Sequence, residues 1–359
     1  MKKETQVISP RQFAFILIGF LIGSASLFIP ESIAGRDAWI ATLAAGFLGF
    51  LPLIFIIQLN KKFKGLTIIQ YSQLCLGKFL GKILGFLFLV NIFFVSTLIV
   101  EDLVLLFNIS IIPGTPEIIL RLGLVFLVIY ALFSGIESIA RLTELYILPL
   151  IFLLLILPLL TIQEVDFSLL RPVLADGLKP IIAGTVVALT FPFAEVAMLA
   201  MILPTVREKK NSAKIFYLAY LISMILLVIR TILGISIFSA DLAKKMLLPT
   251  YQMFRLVNIG EFFNRVEAFF IFIWVLGFFT KLLATYYGII LGLSQIFQLN
   301  NKNSLIIPLG ILIIFLSHFM MPSSGYFLYF DTIILPFITI PLNFFYPFIL
   351  YIISLFKKF

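Results

Sequence analysis

The chain has 359 residues, of which 62% are hydrophobic and only 12% are charged, with a mean hydropathy of +1.17. A water-soluble domain of this size needs a charged exterior, so this composition excludes one and indicates an integral membrane protein. The chain has one histidine and one cysteine, too few for a zinc site, and they argue against a Cys–His catalytic pair. The formal charge of +9 is carried largely in short loops, which indicates membrane topology and argues against nucleic-acid binding.

Apolar runs long enough to cross a bilayer follow one another along the whole chain. Such a run needs about 18–25 residues, and no long polar linker separates the runs, so we predict one polytopic membrane domain over residues 1–359. The ten predicted spans are 11–34, 38–58, 80–107, 117–134, 138–160, 181–203, 214–239, 266–292, 304–320 and 332–356. Stretches 66–77 and 241–265 are predicted to lie at the membrane surface.

The distribution of basic residues predicts the orientation. About twice as many Lys and Arg residues fall on the side of the N-terminus as on the opposite side, which predicts that both termini are cytoplasmic. The polar N-terminus leads into a full-length apolar run, so we expect the first helix to be retained and not cleaved as a signal peptide. Two acids on the opposite side, Glu31 and Asp102, are expected at the membrane interface.

The first and sixth predicted spans carry matching interruptions. Each begins at a proline, Pro10 after the cap residue Ser9 in one case and Pro180 in the other, and each is interrupted about a dozen residues later. The interruptions are Gly23-Ser24-Ala25-Ser26 and Thr190-Phe191-Pro192-Phe193. Proline removes a backbone donor, whereas glycine with serines loosens a helix less.

Five spans in each half would invert the second half relative to the first. We therefore predict inverted repeats, approximately 8–165 and 178–356, with a substrate site at the two breaks. The alternative is that glycine and proline are simply common in membrane helices.

Lys281 lies near the centre of the eighth predicted span. Lys281 and Thr285 share one face at a spacing of four residues. A lysine at this depth must be paired, neutral or facing water. It either meets a ligand carboxylate or stands in for a coupling ion, or else it forms a structural ion pair with an acid on another helix.

Three further ionisable residues in the spans are candidates for a polar path or for structural ion pairs. Glu195 follows the second break, and Glu101 shares a face with Thr97, which favours lining of a cavity. Arg230 is predicted to pair with Glu195, Glu101 or Asp102.

A series of short motifs runs along nearly the whole chain. The motifs are Ile8-Ser9-Pro10-Arg11-Gln12, Leu21 to Pro30, Asp37-Ala38-Trp39, Leu76-Gly77-Lys78 with Gly81, Leu170-Arg171-Pro172-Val173-Leu174 with Gly177 and Pro180, and Phe193-Ala194-Glu195. Their order and spacing are more specific than any one of them. In these motifs the chain resembles the B subunits of spore germinant receptors, the GerAB/GerKB-type spore germination permeases, which are similar to amino acid–polyamine–organocation transporters.

The resemblance implies a LeuT-like fold with a polar ligand, often an amino acid, between helices one, three, six and eight. It also implies an A-type membrane subunit and a C-type lipoprotein as partners in the spore inner membrane. Many members have glycine where this chain has Ala25 and Ala194, which narrows the space at the breaks. The expected ligand-binding residues are Gly23, Ser24, Ala25, Ser26, Thr97, Phe191, Pro192, Phe193, Lys281 and Thr285.

Three functions remain open on the sequence alone. The leading hypothesis is a receptor subunit in which a bound ligand shifts the balance between two conformations that partner subunits detect. The alternative is a proton-coupled transporter of amino acids or related solutes, with Lys281 or Glu101 carrying the proton. The third is a scaffold or channel subunit without a ligand. None of the three involves catalysis, a metal or a cofactor.

Overall fold

The computed structural model describes residues 5, 7–207, 209–257, 266–320 and 324–357, and its secondary structure is helical apart from one isolated bridge between Ile8 and Val206. The helices are α1 (Pro10–Ile22), α2 (Ala38–Lys62), α3 (Ile68–Leu76), α4 (Lys78–Ser110), α5 (Glu117–Phe133), α6 (Ile136–Leu160), α7 (Leu178–Ala188), α8 (Ser212–Ala243), α9 (Pro249–Leu256), α10 (Val266–Ile296), α11 (Ile306–Met320), α12 (Ser324–Tyr329), α13 (Leu335–Thr339) and α14 (Tyr346–Phe356).

Within the described ranges, eight continuous helical stretches are long and apolar enough to cross a membrane. The shorter α1 and α5, of 13 and 17 residues, complete the ten predicted apolar segments. The last helical segment begins at residue 324, whereas the prediction began it at 332. The prediction started after the polar Asp331, which in the structure lies inside the segment on a widened turn. Of the predicted surface stretches, 66–77 contains α3 and 241–265 contains α9, while residues 258–265 lie outside the described residues.

The predicted break in the first segment is confirmed. Ser9 caps α1 by accepting a hydrogen bond from the Gln12 backbone, and α1 ends at Ile22. Residues 23–27 form turns, after which a 3-10 helix, Pro30–Asp37, leads into α2. The chain therefore leaves the first helix in the interior of the bundle, where its free carbonyl and N–H groups need partners.

The predicted break in the sixth segment is also confirmed. After α7 the chain widens into a π-turn, Leu189–Phe193, in which Phe191 is extended with φ −136° and ψ 116°. It continues as a 3-10 helix, Ala194–Met201. Pro192 has no N–H to donate, so the regular helical hydrogen bond is missing at this position, which favours an interruption.

The backbone of α10 passes directly against the break that follows α1. A Cβ atom placed on Gly277 would lie 2.8 Å from the Cα of Gly23. Such a distance excludes any side chain on either residue without a backbone shift. The two glycines therefore allow the centre of α10, which carries Lys281, to reach the interrupted first segment.

Arg230 pairs with Glu31, so the predicted pairing with Glu195, Glu101 or Asp102 is wrong. The Nη2 atom of Arg230 lies 2.5 Å from Oε1 of Glu31, and its Nη1 donates to the carbonyl of Ala25. Glu31 is only 1% exposed and not interfacial as predicted. The reason is the break, since the 3-10 helix after it folds Glu31 back against α8, where it also accepts a hydrogen bond from Thr231.

Candidate functional site

A cavity of about 330 Å³ lies beside the two helix breaks. Its volume is at the small end of the range of ligand pockets. The walls come from the segment after α1, from α4, from the π-turn, from α10 and from the α12–α13 region, and they are mostly apolar. The cavity reaches Lys244, Met246 and Leu247, which follow α8, so it opens towards the face where α8 ends.

Lys281 forms the polar centre of the cavity wall. Its ammonium lies 2.6 Å from Oε2 of Glu195 and 3.1 Å from the hydroxyl of Ser24, and it is fully buried. The same ammonium lies 4.4 Å from the centre of the Phe191 ring, a cation–π distance. One side chain therefore joins α10 to both breaks, with Ser24 in the first and Glu195 after the second.

This arrangement explains how a lysine is tolerated at such depth. A buried charge is retained when it is paired and hydrogen-bonded, and Glu195 supplies the opposite charge from another helix. Lys281 is thus the ion-pair partner of Glu195 while both residues line the cavity. A ligand carboxylate would have to compete with Glu195 for this ammonium.

Two more carboxyl groups line the cavity without an ion-pair partner among the described residues. Asp102 of α4 is 5% exposed, and Asp331 lies in the π-turn Phe330–Ile334 of the last segment. Leu98, one turn before Asp102, packs against Phe330 and Leu335, which lie on either side of Asp331. Lys281 lines the same cavity, yet its hydrogen bonds go to Glu195 and Ser24.

Glu101 and Asp102 have the opposite placement to the one expected. Glu101 accepts a hydrogen bond at 2.7 Å from Arg121, which also pairs with Glu117, and this fully buried arginine holds α4 against α5. Asp102, expected at the interface, is the residue that faces the cavity. A helical step of one residue turns the side chain by about 100°, so adjacent acids cannot share a face.

The other expected ligand-binding residues support the walls and are not at the cavity surface. Ser26 accepts a hydrogen bond from the Trp274 indole at 2.9 Å, and Thr285 accepts one from Ser96 at 2.9 Å. The Thr97 hydroxyl donates to the carbonyl of Phe94. Of the ten expected ligand-binding residues, Phe191 and Lys281 line the cavity and the other eight do not. Those eight are Gly23, Ser24, Ala25, Ser26, Thr97, Pro192, Phe193 and Thr285.

Asp331 was missed because the predicted last span began one residue after it. An acid is costly inside an apolar segment and usually faces an interior cavity. Had the run been extended towards residue 324, Asp331 would have been a candidate on that ground. Among the described residues, no group of three or more His, Cys, Asp or Glu side chains is arranged to hold a metal ion.

Solved structures with this fold are membrane transporters. MhsT in complex with L-phenylalanine matches 98% of this chain and 99% of its own with a TM-score of 0.67 at 13% identity. Mhp1, a nucleobase-cation-symport-1 family transporter in a closed conformation with bromovinylhydantoin bound, matches 91% of this chain and 75% of its own with a TM-score of 0.62 at 12% identity. The expected LeuT-like fold is thereby confirmed.

Similarity in sequence leads to one family. Spore germination protein KB of Bacillus subtilis (strain 168) is 29% identical over 99% of this chain and 96% of its own length. Spore germination protein A2 of the same organism is 26% identical over 96% and 94%, and spore germination protein XB of Bacillus anthracis is 25% identical over 92% and 98%. Residues 7–325 match the family model described as "Spore germination protein". The chain belongs to the spore germination protein family of integral membrane permeases.

Proposed function

We propose that the chain is the B subunit of a spore germinant receptor, in which the cavity beside the helix breaks binds a small polar germinant, of which an amino acid is the leading candidate. The observation that carries the proposal is the position of Lys281, Glu195 and Phe191, which join both breaks at the cavity wall. A ligand that touches this wall contacts two segments in which regular helical hydrogen bonding is interrupted.

The mechanism follows from differential contact. A ligand shifts a conformational balance only when it binds one state better than the other. A ligand between the first break and the last segment would favour the state in which these elements are close together. Partner subunits, proposed as an A-type membrane protein and a C-type lipoprotein in the spore inner membrane, would respond to that shift.

Two features of the comparisons support a small organic ligand. The solved structures that share the fold include one with L-phenylalanine and one with bromovinylhydantoin, and the relatives are spore germination proteins. We propose that the cavity of this chain takes a ligand of comparable size. The proposed partner subunits rest on membership of the family. The proposed orientation, with both termini cytoplasmic, rests on the distribution of basic residues.

The test is a comparison of binding with uptake. The purified full chain is reconstituted in liposomes, and saturable binding of radiolabelled amino acids, sugars and nucleosides is measured beside uptake under an imposed proton gradient. A receptor subunit binds at least one solute without concentrating it inside. Concentrative uptake driven by the gradient would replace the proposal with the proton-coupled transporter, and no saturable binding would leave a scaffold.

A further inference from the structure

Charge in the cavity is unbalanced. The described side chains at its surface include three acids, Asp102, Glu195 and Asp331, and two lysines. Lys281 is committed to Glu195 at 2.6 Å. Lys244, the other lysine, is exposed at the opening and forms no ion pair with a described residue. The buried Asp102 and the partly buried Asp331 therefore remain without a cationic partner among the described residues.

Burial makes this lack of a partner significant. Asp102 is almost completely shielded from solvent, and no described residue hydrogen-bonds to its carboxyl group. A buried carboxyl group without a partner costs free energy in proportion to its desolvation. A cation bound between Asp102 and Asp331 would supply the missing partner to both.

The walls around the two acids indicate what kind of cation fits. Apolar side chains surround them, among others Leu98, Ile99, Leu105 and Leu335. An inorganic cation gains nothing from hydrocarbon walls, whereas an ammonium group on a hydrocarbon body uses both parts of the site. An ammonium also has three donors, enough to reach two carboxyl groups.

We propose that Asp102 and Asp331 form the seat of the ammonium group of a small organic cation whose apolar part lies against these walls. The inference rests on the proposed function and deepens it by assigning the ligand class, an amine or an amino acid with an apolar side chain. Asp102 lies on α4, the third predicted span and one of the helices to which the family resemblance pointed, whereas Asp331 lies on the last segment, to which it did not point.

This seat also supplies a way to transmit binding. Asp102 is on α4 and Asp331 is on the turn between α12 and α13, and the only apolar cluster that these elements share is small, made of Leu98, Phe330 and Leu335 among the described residues. Further along the last segment, Asn91 of α4 already donates to Asn343 and accepts from Thr339. An ammonium held by both acids would add a bridge between α4 and the beginning of the last segment.

The experiment uses four probes with one hydrocarbon body and different head groups. These are isopentylamine (cation), L-leucine (zwitterion), 4-methylpentanoate (anion) and isopentanol (neutral), with potassium chloride as the inorganic cation. Binding to the purified full chain is followed by thermal shift and by calorimetry, because a ligand specific for the native state raises its apparent stability. The variants are Asp102→Asn and Asp331→Asn, with Asp241→Asn as control, since Asp241 is exposed beyond the cavity at the end of α8.

We expect isopentylamine and L-leucine to bind, and the anion and the alcohol to bind at least about tenfold more weakly. Each cavity variant should weaken amine binding by about tenfold or more, while Asp241→Asn should leave it within about twofold. Both cavity variants should melt, without ligand, no lower than the wild type, because each replaces a carboxyl group that has no ion-pair partner among the described residues.

Four results would overturn the inference. Equal binding of the amine by the wild type and both variants would show that the acids do not hold it. Preference for the anion or the alcohol would contradict a cation seat, although the chain would still be a receptor that binds a ligand. Stabilisation by potassium equal to that by isopentylamine would make the two acids an inorganic ion site. Absence of binding by every probe, and by the wider solute set, would remove the proposed function as well.

Discussion

The ammonium of Lys281 and the carboxylate of Glu195 lie 2.6 Å apart in the interior of the bundle, where they join α10 to the segment that follows the second helix break. Ser24 extends the same contact to the first break at 3.1 Å. The pair therefore has two consequences: it closes the cavity wall, and it fixes the relative position of the two interrupted segments.

Removing one member of this pair should destabilise the fold far more than removing both. A buried charge without a partner costs about 3–5 kcal/mol, whereas replacing a whole buried pair by neutral groups is often close to neutral. We expect Lys281→Met to lower the thermal midpoint strongly and the double variant Lys281→Met with Glu195→Gln to recover most of the loss. Equal midpoints for the single and double variants would contradict a direct pairing.

The close approach of Gly277 to Gly23 predicts a sharp sensitivity to one methyl group. In Gly277→Ala the new Cβ would lie 2.8 Å from the Cα of Gly23, so α10 or the break must move. We expect a loss of about 1–3 kcal/mol by chemical or thermal unfolding in detergent.

Gly123→Ala is the matched control for this substitution. Gly123 lies within α5, and a Cβ atom placed on it would meet no atom from outside its own helix within 4 Å. Alanine is also the better helix former, so stability should stay the same or rise slightly. A similar loss in both variants would mean that the contact between α10 and the first break is not responsible.

The Arg230 and Glu31 pair should hold the segment after the first break in place. Arg230 donates to Glu31 and to the Ala25 carbonyl, and the side chains of both partners are at most 3% exposed. We expect Glu31→Gln to cost about 3 kcal/mol, because it leaves the guanidinium buried with a weaker acceptor. Glu137→Gln, in the exposed pair with Arg141, should cost less than about 1 kcal/mol. Protease resistance of the 23–37 stretch provides an independent measure, and unchanged cleavage in Glu31→Gln would count against this role.

The single cysteine should be nearly inert at neutral pH. Cys75 lies in the short helix α3, where burial raises the pKa of its thiol to about 11 although Lys357 and Lys62 act in the opposite direction. Since only the thiolate reacts, roughly one molecule in 10⁴ is reactive at pH 7, and labelling should rise about tenfold per pH unit up to pH 10.

Ser134→Cys provides the comparison for this labelling, because Ser134 is exposed in the loop before α6. With maleimide at pH 7 the variant should label quickly at the new position, and the wild type should stay unlabelled over the same time. Rapid labelling of the wild type would show that Cys75 is more accessible or more acidic than its burial implies.

The lengths of the apolar runs and the helix-breaking residues were sufficient to predict ten apolar segments and both interruptions, although not the start of the last segment. Ser9-Pro10 and Pro192 act through local backbone chemistry, which a sequence displays directly. The partners of buried charges could not be predicted in the same way. Glu31 reaches Arg230 only because the chain folds back after the first break, a consequence of tertiary packing. Whether Glu101 or Asp102 faces the cavity depends on the rotation of α4 about its axis. Apolar residues lie on all sides of α4, so the sequence pattern does not indicate that rotation.

The central claim is that a small ligand occupies the cavity beside the two breaks, and a cavity-filling substitution tests it most directly. Val95 on α4 lines the cavity and is 2% exposed, while Leu87 on the same helix is 43% exposed and faces outward. The measurement is the equilibrium Kd of the purified chain for the tightest-binding amino acid, sugar or nucleoside. We predict that Val95→Phe raises this Kd by at least about tenfold, equivalent to about 1.4 kcal/mol, with Leu87→Phe unchanged. An unaltered Kd in a folded Val95→Phe variant would contradict the claim and place the ligand elsewhere.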